Sequence, residues 1–135
     1  QKLWQGAFLR NQGATKAGFA DDRTYQYNSE VVSRQVHLGI DIAGVNNTEI
    51  LAANHGKAIF VGEIGIYGNV IILDHGYGLH TLYGHLSRTD VRQGDYVKKG
   101  DVIAASGDSG LVFGDHLHFE IRYQGVPQNP FGYLP

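Results

Sequence analysis

The sequence predicts an all-β domain built on largely antiparallel sheet, with few or no helices. Three observations carry that reading. Short runs rich in Val, Ile, Leu and Tyr recur at close intervals, Gly-bearing turns separate them, and no segment shows a 3.6-residue apolar stripe. Nineteen glycines against three prolines suit strands joined by tight turns. A length of 135 residues corresponds to one domain, large enough to bury a core without covalent staples.

The elements follow in order. Residues 1–22 read as an irregular lead-in, broken by Gly6, Gly13 and Gly18, that packs over the edge of a domain spanning 23–135. Arg23 to Tyr27 and Val31 to Val36 form a hairpin around Asn28-Ser29-Glu30. In His37-Leu38-Gly39-Ile40-Asp41-Ile42, Gly39, Gly44 and the two isoleucines argue against a helix. Extended backbone would put His37 and Asp41 on one face but about 13 Å apart, so a bend or bulge is expected at Gly39. Further strands are expected at 50–53, 57–63, 69–74, 79–85, 95–97, 102–105 and 116–123, and 127–131 is an extended closing segment.

Composition excludes several classes. A net charge of −2 gives no basic footprint for nucleic acid. The longest apolar runs, such as Val70 to Leu73, are strand-sized, so this segment itself makes no membrane contact. With no cysteine, any metal must be held by nitrogen and oxygen ligands. The chain starts at Gln1 and contains no methionine, which suggests a processed portion of a longer precursor with a signal peptide or anchor upstream.

The stretch that carries chemistry is His116-Leu117-His118-Phe119-Glu120. As a strand it puts His116, His118 and Glu120 on one face and Leu117, Phe119 and Ile121 on the other, so two imidazoles share a face held still by a core. His37, Asp41 and one of the His116/His118 pair supply a three-ligand zinc set, and the second histidine is a group for proton transfer. His85, at a strand end beside Gly84, is a further candidate. His55, His75 and His80 read as half-buried, hydrogen-bonded histidines of turns. Asp115 and Glu120 read as solvated or salt-bridged carboxylates, with orientation of an imidazole as the lesser alternative. The glycine runs at 62–68 and 106–114 read as hairpin loops or groove walls, because they lack the strand-to-helix context of a phosphate loop.

Three segments in fixed order, His37-Leu38-Gly39-Ile40-Asp41, Tyr83-Gly84-His85-Leu86-Ser87 and Gly114-Asp115-His116-Leu117-His118, resemble the signatures of the lysostaphin-type zinc metallopeptidases, or LytM domains. The connecting pieces Gly68 to Gly76 and Val97 to Ala104 resemble that family too. The resemblance implies one zinc per chain held by His37, Asp41 and His118, with His85 and His116 as catalytic histidines. It implies a β-sheet groove with the metal at its floor, and hydrolysis of peptide bonds in peptidoglycan cross-links or stem peptides outside the cytoplasm, in the periplasm or cell envelope. The absence of a basic patch favours the D-alanyl–diaminopimelate cross-link over a glycine bridge. Two departures stand out: a separate hairpin before His37, and Leu111-Val112-Phe113 ahead of the His-x-His segment.

Two other functions compete with this one. A non-catalytic LytM-like domain that binds or activates a cell-wall hydrolase would typically lack some ligands, and here all five positions are filled. A phosphocarrier with paired histidines would need no His-x3-Asp element.

Overall fold

A computed structural model describes residues 2–11, 15–17, 22–27, 30–36, 40–43, 48–107 and 116–133. Among them are twelve strands: β1 (Thr15–Ala17), β2 (Asp22–Tyr27), β3 (Glu30–Val36), β4 (Ile40–Ala43), β5 (Glu49–Leu51), β6 (Gly56–Ile64), β7 (Gly68–Asp74), β8 (Leu79–Thr89), β9 (Tyr96–Val97), β10 (Val102–Ser106), β11 (His116–Tyr123) and β12 (Val126–Gln128). The helical content of the described residues is two single 3-10 turns, Gly65–Tyr67 and Pro130–Gly132. The all-β expectation holds, and no helix among these residues is long and apolar enough to cross a membrane.

Ten strands make one curled antiparallel sheet whose main path runs β1-β4-β11-β8-β7-β6-β9, while β2 and β3 pair as a separate hairpin. That hairpin is the one expected before His37. The lead-in takes part in the fold: Thr15–Ala17 pairs with β4, and Phe8 is buried in the core. The closing segment is extended only over β12, then turns at Pro130. The expected bend at Gly39 lies outside the described residues, as does the departure at Leu111 to Phe113.

Period-two alternation divides the sheet into two faces. On one, Leu79, Tyr83, Ile71, Leu73, Leu117, Phe119 and Ile121 join Ile103 and Ala104 in a core where nearly every side chain is fully buried. Each large aliphatic side chain removed from water there contributes about 1.5–3 kcal/mol. Residues 2–9 strap that layer, because Leu3 and Trp4 donate backbone N–H groups to the His75 carbonyl and Leu9 donates to Ala53. Asn54, fully buried, fastens the strap by accepting from the Gln5 N–H at 2.9 Å and donating to the Gln5 carbonyl at 3.1 Å.

The other face is ordered by strand register. Asp41, His118 and Gly84 stand opposite one another across β4, β11 and β8. One step along, Glu120, Leu82, Ile72 and Phe60 form a second row across β11, β8, β7 and β6. A third row holds Arg122, His80, Asp74 and Lys57. The core alternation on β11 is thus what delivers His118, Glu120 and Arg122 to one face.

Candidate active site

His118 sits at 3% exposure on β11, an interior strand of the sheet. Its Nε2 lies 2.7 Å from Oε2 of Glu120, a carboxylate with no exposed surface at all. The other Glu120 oxygen, Oε1, accepts from Nε of Arg122 at 2.7 Å, with Nη2 at the same distance. Burial, the largest influence, pushes the Glu120 carboxyl up. The hydrogen bond and charge of His118, together with Arg122, outweigh it and hold the group below the usual carboxylate range. An ionised carboxylate can only accept, so Nε2 of His118 is the donating nitrogen and Nδ1 is the one left to offer a lone pair to a metal. A buried carboxylate that fixes tautomer and ring direction in this way is the usual companion of a metal-ligating histidine.

Two rings frame this imidazole. Tyr67, from the 3-10 turn between β6 and β7, stacks on it with centroids 4.9 Å apart and planes 23° apart. His85 meets it edge-on at 6.0 Å and 72°, and Tyr67 also lies 6.5 Å from His85. The backbone of His85 is at φ 60°, a left-handed conformation that costs a residue with a Cβ about 1–2 kcal/mol. The cause is local: Asn69 faces Leu86 while Ile71 faces Tyr83, so β8 carries one residue more than β7 between those pairs. That bulge turns the buried His85 ring toward His118.

The remaining expected site residues are placed by backbone alone. Asp41 is the register partner of His118 across β4 and β11, and His116, two residues earlier on β11, faces Ala43. The side chains of Asp41 and His116, and the whole of His37 and Asp115, lie outside the described residues. Among the described residues no group of three metal-binding side chains is gathered. What the described part shows is compatible with zinc: a histidine with its donor nitrogen defined by a carboxylate, and an aspartate position directly across the strand pair.

Three residues here exceed the sequence reading. Glu120 is fully buried, salt-bridged to Arg122 and bonded to the His118 ring, so the salt-bridged reading and the lesser alternative of orienting an imidazole both hold, and only the solvated reading fails. Its place on the His118 face was visible in the alternation. The wall function of the 62–68 glycine run falls to Tyr67, which no local pattern could have assigned, because its contact crosses from one strand pair to another. His75 is not half-buried but fully buried on the core side, where Nδ1 lies 2.7 Å from the His55 carbonyl and Nε2 lies 2.7 Å from Thr81 Oγ1. His55 accepts the Lys99 N–H at 3.0 Å, and His80 stands 3.8 Å from Asp74, both away from His118.

The chain is similar in sequence and fold to known proteins. Over 96 residues, 71% of this chain, it is 42% identical to the DD-carboxypeptidase/endopeptidase Mpg of Neisseria meningitidis serogroup B, of which the match covers 22%. Over 98 residues, 72% of this chain, it is 41% identical to the murein hydrolase activator NlpD of Escherichia coli, of which the match covers 26%. The chain therefore spans about a quarter of the length of these curated relatives. Among solved structures, a zinc-containing peptidase from Vibrio cholerae superposes with a TM-score of 0.82 at 28% identity, covering 99% of this chain and 41% of that one. The catalytic domain of lysostaphin from Staphylococcus simulans does so with 0.77 at 28% identity, covering 90% and 91%. The model of peptidase family M23 matches residues 35–130, the span that holds all three histidine segments, and with the shared sheet this shows that the chain belongs to peptidase family M23.

Proposed function

We propose that residues 23–135 form a zinc-dependent endopeptidase domain, acting outside the cytoplasm on peptide bonds of peptidoglycan cross-links or stem peptides. The observation that carries this is the buried His118–Glu120 pair with His85 set edge-on against it in a strained backbone conformation. Strain of that kind persists where function repays it. Similarity to a DD-carboxypeptidase/endopeptidase and to a zinc-containing peptidase supports the reading.

In this proposal His37 and Asp41 join Nδ1 of His118 as ligands of one zinc ion. When bound, zinc supplies a water of lowered pKa and polarises the scissile carbonyl. The chain's own part is positional and protonic. Glu120 fixes the His118 ring through its Nε2–H, Tyr67 covers one face of that ring, and both exclude water from it. His85 and His116 transfer protons to and from the reacting atoms and donate hydrogen bonds to the developing oxyanion. The bond favoured is the D-alanyl–diaminopimelate cross-link. Elemental analysis should find about one zinc per chain, lost in His118→Ala, and muropeptide analysis of treated sacculi should show cross-linked dimers converted to monomers. A chain that takes up no zinc and leaves every dimer intact would overturn the proposal.

Likeness to a murein hydrolase activator favours a second reading, a domain that stimulates another hydrolase without cutting. It predicts intact dimers from the domain alone and faster release once a partner hydrolase is added.

A further inference from the structure

Beside the His118 row the same sheet face opens into a cavity of about 210 Å³. Ile64, Ile72 and Leu82 form its apolar walls, and Tyr67 is shared between this cavity and the stacking contact on His118. Arg122 and His80 complete the lining on the third row of the sheet. The volume suits one side chain rather than a whole ligand, since cavities near 150 Å³ accept a benzene ring and drug-sized ligands need about 300 Å³ or more.

Its polar end has a definite sign. Arg122 has five N–H donors, and Nε and Nη2 both converge on the single oxygen Oε1 of Glu120. No other partner of Arg122 is found among the described residues, and its side chain keeps 33% exposure. The Glu120 charge that balances it is divided with His118, so the guanidinium edge facing the cavity remains an anion receptor. Asp74, 3.8 Å from His80, stands on the far side of that histidine and disfavours a second anion there. Two 2.7 Å contacts joined through one carboxylate bring Arg122 within about 8 Å of the His118 ring, the span of some two extended peptide residues.

We propose that this cavity is a substrate subsite for an aliphatic side chain ending in a carboxylate, with the methylenes against Ile64, Ile72 and Leu82 and the carboxylate on Arg122. The inference rests on the reading that this sheet face carries a peptide. Such a subsite would let the domain distinguish a diaminopimelate stem from a lysine stem, whose side chain has the same carbon chain and terminal amine but lacks the terminal carboxylate.

The test is equilibrium binding by calorimetry, independent of cleavage, with two synthetic stem tetrapeptides that differ only in diaminopimelate or lysine at the third position. The wild-type domain should bind the diaminopimelate peptide at least about tenfold more tightly, in the range of one charge-assisted hydrogen-bonded pair. Arg122→Gln should erase the difference while circular dichroism and zinc content report an intact fold. Ile72→Phe, which fills the cavity and leaves Arg122 and Glu120 in place, should weaken the diaminopimelate peptide most. Equal affinity for both peptides in wild type, or a preference that survives Arg122→Gln, would overturn the subsite. Discriminating binding without any cleavage of sacculi would retain the subsite and overturn the peptidase reading instead.

Discussion

Glu120 Oε2 and His118 Nε2 lie 2.7 Å apart with both side chains out of solvent, and this one contact determines which imidazole nitrogen keeps its lone pair. Glu120→Gln tests it. A glutamine can present an oxygen to His118 or to Arg122 but not to both, and its NH2 would meet a donor on the other side. Zinc affinity, measured by competition with a chromophoric chelator, should fall by about 10–100-fold. An unchanged affinity would mean that the carboxylate serves packing alone.

His85 offers a separation of strain from chemistry. At φ 60° a glycine is at ease, whereas alanine pays the same steric cost as histidine. In chemical denaturation His85→Gly should therefore be more stable than His85→Ala by about 1 kcal/mol. Both variants should retain zinc and lose most turnover. Full activity in either would remove His85 from the proton-transfer role.

These residues also show how far the sequence could be read. The strands from β5 to β11 were legible because turn glycines delimit runs of apolar alternation, and the shared face of His118 and Glu120 follows from period two. Tyr67 was not legible, since it reaches His118 through the curl of the sheet and no local pattern encodes that. Nor was the bulge at His85: it arises from a mismatch of one residue between β7 and β8, a property of pairing rather than of either strand. The burial of His75 was hidden because it follows a strand and precedes Gly76, the usual setting of a turn histidine, while residues 2–9 cover it from far away in the chain.

His75 makes stability depend on pH. Burial lowers its pKa from 6.5 to about 4, against a weaker opposing effect of its bond to the His55 carbonyl. That carbonyl can only accept, so Nδ1 donates and Nε2 accepts from the Thr81 hydroxyl, which in turn lies 2.9 Å from the Tyr83 hydroxyl. The folded state thus holds His75 neutral. Its contribution is complete above the unfolded pKa of 6.5, declines as pH falls, and is lost at about pH 4, where both states bind the proton. The full loss is about 3 kcal/mol. Urea unfolding of wild type and His75→Gln across pH 8 to 4 should show a steeper decline in wild type. Parallel curves would refute the assignment.

Two glycines, Gly107 beside the strand of His85 and Gly100 in a turn away from the site, separate crowding from backbone freedom. A Cβ on Gly107 would stand 2.6 Å from the Ser87 Cβ and 2.8 Å from the Ser87 nitrogen, and Gly107 has no positive φ to protect. Ser87 is tied to the Ser106 carbonyl at 2.8 Å and is two residues beyond His85, so the pressure is relieved by displacing β8 at its bulge. Gly107→Ala should cost about 1–3 kcal/mol and reduce turnover as well, since it moves the strand that carries His85. Gly100 is the reverse case, with open space around it but φ at 90°. Gly100→Ala should lose about 1 kcal/mol of stability through backbone strain and leave turnover unchanged. If Gly107→Ala instead loses stability with normal turnover, His85 does not depend on the packing of β10 against β8 for its position.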